Sequence, residues 1–146
     1  ARTFLQPIAE ALAGFAKEES DTELWYESTC PRCGHLPQVG VLRDEPEVRN
    51  RRLLVCSLCA GWWPFQRLTC AGCGEQQADQ LLYHESDSLG HVRIEECLSC
   101  KTYLKSIDLR KDGAAVPEVD DVASVELDLW ARERGLRKMQ LNLLGF

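Results

Sequence analysis

Eight cysteines stand in this chain as four Cys-x-x-Cys pairs, Cys30/Cys33, Cys56/Cys59, Cys70/Cys73 and Cys97/Cys100, with none left over. The pairs repeat: the first recurs as the third 40 positions on, and the second as the fourth 41 positions on. The chain therefore holds two copies of one unit, each opened and closed by a pair. Two residues between cysteines let both sulfurs face one ion, while the tight turn aims backbone N–H groups at the thiolates. Four thiolates complete one tetrahedral site, so eight predict two sites. Gly34 and Gly74 follow the second cysteine of the opening pairs, where this turn needs a positive φ. Ala60 and Lys101 hold that place in the closing pairs and make those turns less ideal.

The expected grouping is within each repeat: Cys30, Cys33, Cys56 and Cys59 around one ion, and Cys70, Cys73, Cys97 and Cys100 around the other. The segments between opening and closing pairs are 22 and 23 residues, enough for a hairpin that folds back. Interleaved grouping fits a tandem repeat less well. Because protein fills all four positions, the sites read as structural, with no place for water or substrate. Zinc is the default ion, and a four-cysteine site of this type also accepts iron. Eight paired thiols and no secretory signal fit a reducing cytoplasm better than a disulfide framework.

A repeat of about 40 residues is too small to build much core alone, and a bound metal supplies the missing stability. The hydrophobic fraction of 45% and charged fraction of 27% describe a folded protein. The net charge of −6 argues against a general nucleic-acid binder. Charge is uneven, since residues 30–73 carry six arginines against three acids. The chain opens on Ala1 inside a helical pattern, so it reads as a piece of a longer protein.

Phe4, Leu5, Ile8, Leu12, Phe15 and Ala16 mark one face of a helix over 2–19, with Pro7 near its start. Each unit then reads as knuckle, hairpin, knuckle. Strands are expected at 36–42 and 51–55 in the first unit and at 80–85 and 91–95 in the second. An aromatic strand follows each closing pair, Trp62 to Phe65 in the first and Thr102 to Leu104 in the second. After a linker at 110–117, a helix is expected with Val122, Val125, Leu129 and Trp130 on one face and Gly135 at its end. The apolar tail from Leu136 to Phe146 is expected to dock on the body or on a partner. The divisions are 1–25 (the end of a helical part), 26–65 and 66–110 (the two modules), and 111–146 (linker, helix and tail). The fold class is a small metal-stabilised α+β protein. Two tandem four-cysteine zinc-ribbon or rubredoxin-like modules lie between an N-terminal and a C-terminal helix.

Other residues carry weaker signals. His35 follows a full site and reads as a surface imidazole, and His84 and His91 as solvated. Trp62, Trp63, Phe65 and Tyr103 read as core, but adjacent tryptophans on a strand point to opposite faces. One of the two is therefore an interface candidate. Arg49, Arg51, Arg52 and Arg67 read as a solvated face, or as a site for phosphate or an acidic partner.

The runs CPRCGHLPQVGVLRD, LLVCSLCAGWWPFQRLTCAGCG, RIEECLSCKTYLKSIDLRKD and VDDVASVELDLWARERGLRKMQLNLLGF resemble the formate dehydrogenase accessory protein family, FdhE. The resemblance covers Tyr26 to Phe146, and residues 1–25 look like the end of that family's helical N-terminal part. It implies a cytoplasmic, non-enzymatic maturation factor for respiratory formate dehydrogenase. Such a factor acts on the molybdenum-containing catalytic subunit before export by the twin-arginine route. It implies rubredoxin-like metal modules on the same eight cysteines, with zinc or iron bound. The basic first module, Trp62 or Trp63, and the tail are the contact candidates. The competing readings are a rubredoxin-like electron carrier and, below it, a nucleic-acid-binding ribbon.

Overall fold

The computed structural model describes residues 2–15 and 25–146. Helix α1 spans Arg2–Phe15, and positions 16–19 of the expected helix lie outside the described residues. Strands β1 (Pro37–Arg43), β2 (Arg51–Cys56) and β3 (Trp62–Pro64) come from the first repeat. Strands β4 (Leu81–Glu85), β5 (Val92–Cys97) and β6 (Thr102–Asp108) come from the second. Helices α2 (Pro117–Ala123) and α3 (Val125–Glu133) and the short strand β7 (Arg137–Lys138) complete the chain.

The strands of both repeats form one sheet in the order β3-β2-β1-β6-β5-β4. Hairpin pairing within each repeat is antiparallel, as alternating apolar runs around short turns dictate. The join between repeats is a parallel pairing of β1 with β6, Val39 opposite Lys105 through Leu42 opposite Asp108. β7 lies parallel to the start of β6, along the edge that β1 uses further on. The repeat symmetry breaks at the aromatic strands. β3 stops at Pro64, which lacks the N–H a longer ladder needs, whereas β6 runs on for seven residues and becomes central.

Alternation along the strands gives the sheet two buried faces. One carries Val39, Val41, Leu53, Val55, Val92 and Ile107, with Trp62 partly buried against it. The other carries Leu54, Trp63, Phe65 and Leu104 together with cysteines of the first repeat. Trp63 is the buried member of the tryptophan pair, and its indole N–H donates to the Glu27 carbonyl. Trp62 is half-buried beneath the Arg43 guanidinium, 5.4 Å from its ring. Helix α1 meets the body through its small residues Ala9 and Ala13, while Phe4, Ile8, Leu12 and Phe15 stay exposed. Among the described residues no helix is long and apolar enough to cross a membrane.

The C-terminal helical region departs from the sequence expectation. It is two helices, broken at Ser124, and its inner face is polar: Asp121, Ser124, Asp128 and Ala131 are buried while Leu129 is exposed. The cause is Lys105, a fully buried lysine on β6. Its ammonium donates to the Asp121 carbonyl at 2.5 Å and the Ser124 carbonyl at 3.3 Å. Those are acceptors that an unbroken helix would use for its own N–H groups. Lys105 also pairs with Asp128 at 2.7 Å and Asp121 at 2.9 Å. Lys138 on β7 reaches the same two carboxylates at 2.7 and 3.1 Å. The Tyr103 hydroxyl donates to Asp128 and the Gln38 amide to Asp121, so both carboxylates are fully engaged. In the tail, Leu136 is buried and Met139 packs on the core, but Leu143 and Leu144 are exposed.

Candidate metal centres

Each cysteine pair sits on the same local turn. Cys30 and Cys70 open their knuckles, and their carbonyls accept from Gly34 N and Gly74 N at 2.9 and 3.0 Å. Gly34 and Gly74 have φ of 74° and 78°. The closing knuckles adopt that geometry without glycine, with Ala60 at φ 51° and Lys101 at φ 56°. For an L-residue that left-handed conformation costs about 1–2 kcal/mol, so the closing turns are strained rather than different.

The turns bring the cysteines together repeat by repeat. Cys30, Cys33, Cys56 and Cys59 form one cluster and Cys70, Cys73, Cys97 and Cys100 the other, all sulfurs within a cluster lying within 4.8 Å of one another. In the first, Cys30 lies 3.6 Å from Cys59 and Cys33 lies 3.3 Å from Cys56, sulfur to sulfur. In the second, the Cys70–Cys100 and Cys73–Cys97 separations are both 3.7 Å. Thiolates bound at about 2.3 Å to one tetrahedral ion stand about 3.8 Å apart. Each cluster therefore fits one ion. Backbone N–H groups of Leu58 and Cys59 point at the Cys56 sulfur at 3.4 and 3.5 Å, and that of Gly72 at the Cys70 sulfur at 3.2 Å. These contacts stabilise thiolate charge.

Four thiols this close cannot all ionise unaided. Hydrogen bonds from Cys56 and Cys59 lower Cys30 to about 2, and Cys59 in turn is pushed up to about 11 by its bond to Cys30. In the second cluster, burial pushes Cys70 up to about 12. Burial also opposes charge on Cys100, but bonds from Thr102 outweigh it and lower that thiol to about 7. A divalent cation held by the four cysteines of a cluster would resolve the conflict by taking all four sulfurs as anions.

The two centres differ in cover. In the first, Cys30, Cys56 and Cys59 are buried, Ala13 of α1 packs on the cluster, and Arg32 reaches back to the Ala13 carbonyl at 3.4 Å. In the second, Cys73 is exposed and Cys100 half-buried. None of the three histidines joins a cluster. His35 is exposed, whereas His84 bonds to Glu96 at 2.8 Å and His91 to Asp120 at 3.2 Å, so neither of these two is simply solvated.

The arginines separate into two kinds. Arg52 is not part of a solvated face: it is buried and pairs with Glu95 of the second repeat at 2.5 Å. It also donates to the carbonyls of Gln66 and Thr69. Arg51 pairs with Glu45 at 2.9 Å. Arg49 and Arg67 are exposed. Sequence reasoning missed Lys105, Lys138, Asp128 and Glu95. The one available signal was a lysine amid an otherwise uncharged run, Tyr103-Leu104-Lys105-Ser106-Ile107.

Comparison with known proteins agrees with this architecture. The model of the FdhE central domain matches residues 29–67 and that of the FdhE C-terminal domain matches residues 68–144. An FdhE homolog of Aquifex aeolicus is 42% identical over 144 residues, covering 99% of this chain and 50% of the relative. One from Pseudomonas aeruginosa is 35% identical over 132 residues, covering 88% of this chain and 43% of that protein. The crystal structure of the FdhE protein from Pseudomonas aeruginosa superposes with a TM-score of 0.72 at 36% identity, over 81% of this chain and 41% of that one. The chain thus spans about half the length of these relatives or less. On matched domains, sequence identity and superposed fold together, it belongs to the FdhE family.

Proposed function

We propose that this chain is the metal-binding half of an accessory factor for respiratory formate dehydrogenase, acting in the cytoplasm on the catalytic subunit before that subunit is exported. Family membership supports the formate dehydrogenase connection. The observation that carries a non-enzymatic role is the closure of both centres: four cysteines per cluster leave no coordination position for water or substrate. On this reading the eight cysteines hold two ions that keep the hairpins rigid, and the surface of the joined sheet recognises the client. Zinc would supply structure alone, and iron would add one-electron chemistry.

The test is co-purification of the full-length protein from its native cytoplasm under reducing conditions, followed by mass spectrometry and metal analysis. Recovery of the catalytic subunit, lost with Cys30→Ser or Cys97→Ser, is the expected result. Recovery of redox proteins instead, with reversible iron in the preparation, would replace it by the electron-carrier reading. One observation favours that second reading: Cys73 brings the second centre to the surface, where electron exchange is short-range.

A further inference from the structure

An open groove of about 360 Å³ lies between the β1–β2 loop and the segment after β3. Trp25, Val48, Pro64 and Phe65 give it an apolar floor. Arg49, Arg51, Arg52 and Arg67 stand in its lining, and among the described residues no carboxylate does, in a chain whose net charge is −6. Arg52 is committed to Glu95 and stacks over Phe65 at 5.2 Å, which fixes the floor. Arg51 is committed to Glu45. Arg49 and Arg67 are exposed and form no ion pair with any described residue. An apolar floor on which Val48 is exposed and Trp25 and Pro64 half-buried, beside two cations unpaired among the described residues, is a surface complementary to a partner with both characters.

We propose that this groove receives a short, extended, acidic segment of a partner protein, with an apolar side chain on Val48 and Phe65 and carboxylates against Arg49 and Arg67. The inference rests on the reading of the chain as a client-binding factor. The lining argues for a peptide over a phosphate compound, since among the described residues it contains no glycine and no helix begins there to cradle phosphate oxygens. It argues against nucleic acid as well. Asp44 and Glu47, both exposed, lie in the same loop as Arg49 and would repel a long polyanion, whereas a short segment avoids them.

The probe is a fluorescein-labelled decapeptide of alternating glutamate and leucine with a central phenylalanine, read by anisotropy against the metal-loaded chain. One control peptide carries glutamine for glutamate and another glycine for the apolar residues. The acidic apolar peptide is expected to bind about tenfold tighter than either control, weakening with salt. Arg49→Glu/Arg67→Glu is expected to remove about tenfold of that affinity while metal content and melting stay unchanged. Equal binding of the controls, an unchanged double variant, or tighter binding of a single-stranded oligonucleotide would each overturn the proposal. Capture of the formate dehydrogenase catalytic subunit separates this idea from the one beneath it. If the double variant captures as much subunit as wild type, the groove proposal falls and the client reading stands. If wild type captures none while peptide binding depends on both arginines, the client reading falls and the groove stands.

Discussion

Lys105→Met isolates the interaction that docks the two C-terminal helices. The wild-type ammonium is fully buried and touches Asp121, Ser124 and Asp128. Methionine reproduces the chain as far as Cε, one atom short of Nζ, so the substitution leaves a small cavity and mainly removes one charge. What remains is two buried carboxylates with Lys138 as their single cation among the described residues. Breaking a buried pair in this way costs about 3–5 kcal/mol. The Tyr103 hydroxyl and Gln38 amide still donate to Asp128 and Asp121, which places the loss near the lower end, about 3 kcal/mol. That is a large share of the about 5–15 kcal/mol that stabilises a domain. Urea unfolding at fixed free metal, followed by tryptophan fluorescence and circular dichroism, measures it. Lys105→Met/Asp128→Asn restores charge balance, so the two changes should couple by about 1–3 kcal/mol. A Lys105→Met loss below about 1 kcal/mol, or strict additivity with Asp128→Asn, would refute the reasoning.

Three further outcomes follow from particular residues. Because Cys73 is exposed while α1 covers the first centre, chelator or thiol-reagent titration should release metal in two phases, with Cys73 alkylated first; simultaneous release would contradict this. Ala60→Gly and Lys101→Gly should each raise stability by about 0.5–1 kcal/mol, the relief of left-handed strain less the entropy glycine adds to the unfolded chain, as read by thermal melting of the metal-loaded protein. Burial opposes charge on Glu95, but Arg52 and Arg93 outweigh it and hold its carboxyl below the ordinary 4.5. A depressed folded value adds stability above pH 4.5 that is lost as pH falls through it, so Glu95→Gln should be less stable than wild type at pH 7 and the gap should close below pH 4.5. A gap independent of pH would remove Glu95 from that role.

Much of the fold was legible because it is local. Strands expected at 36–42, 51–55, 80–85 and 91–95 appear within a residue or two of those bounds, since alternation and turn chemistry act over a few positions. The helix face of Val122, Val125, Leu129 and Trp130 packs on the core through Trp130 but leaves Leu129 exposed, because the most buried positions are the polar Asp121, Ser124 and Asp128, which hydrophobic periodicity does not count. The surface reading of Arg52 failed for the same reason: burial of a charge depends on a partner that no local pattern reveals.

The sequence by itself determined the two four-sulfur clusters, because a Cys-x-x-Cys knuckle forms its turn from its own residues and the repeat dictates which pairs close together. Only the tertiary structure decided that the repeats share one sheet through β1 and β6, and that the second centre is the open one. It also decided that Arg52 and Glu95, 43 positions apart, and Gln38 and Asp121, 83 apart, meet in the interior. Such contacts join residues distant along the chain, and their strength comes from shared exclusion of water, which exists only once the sheet and helices have closed over them.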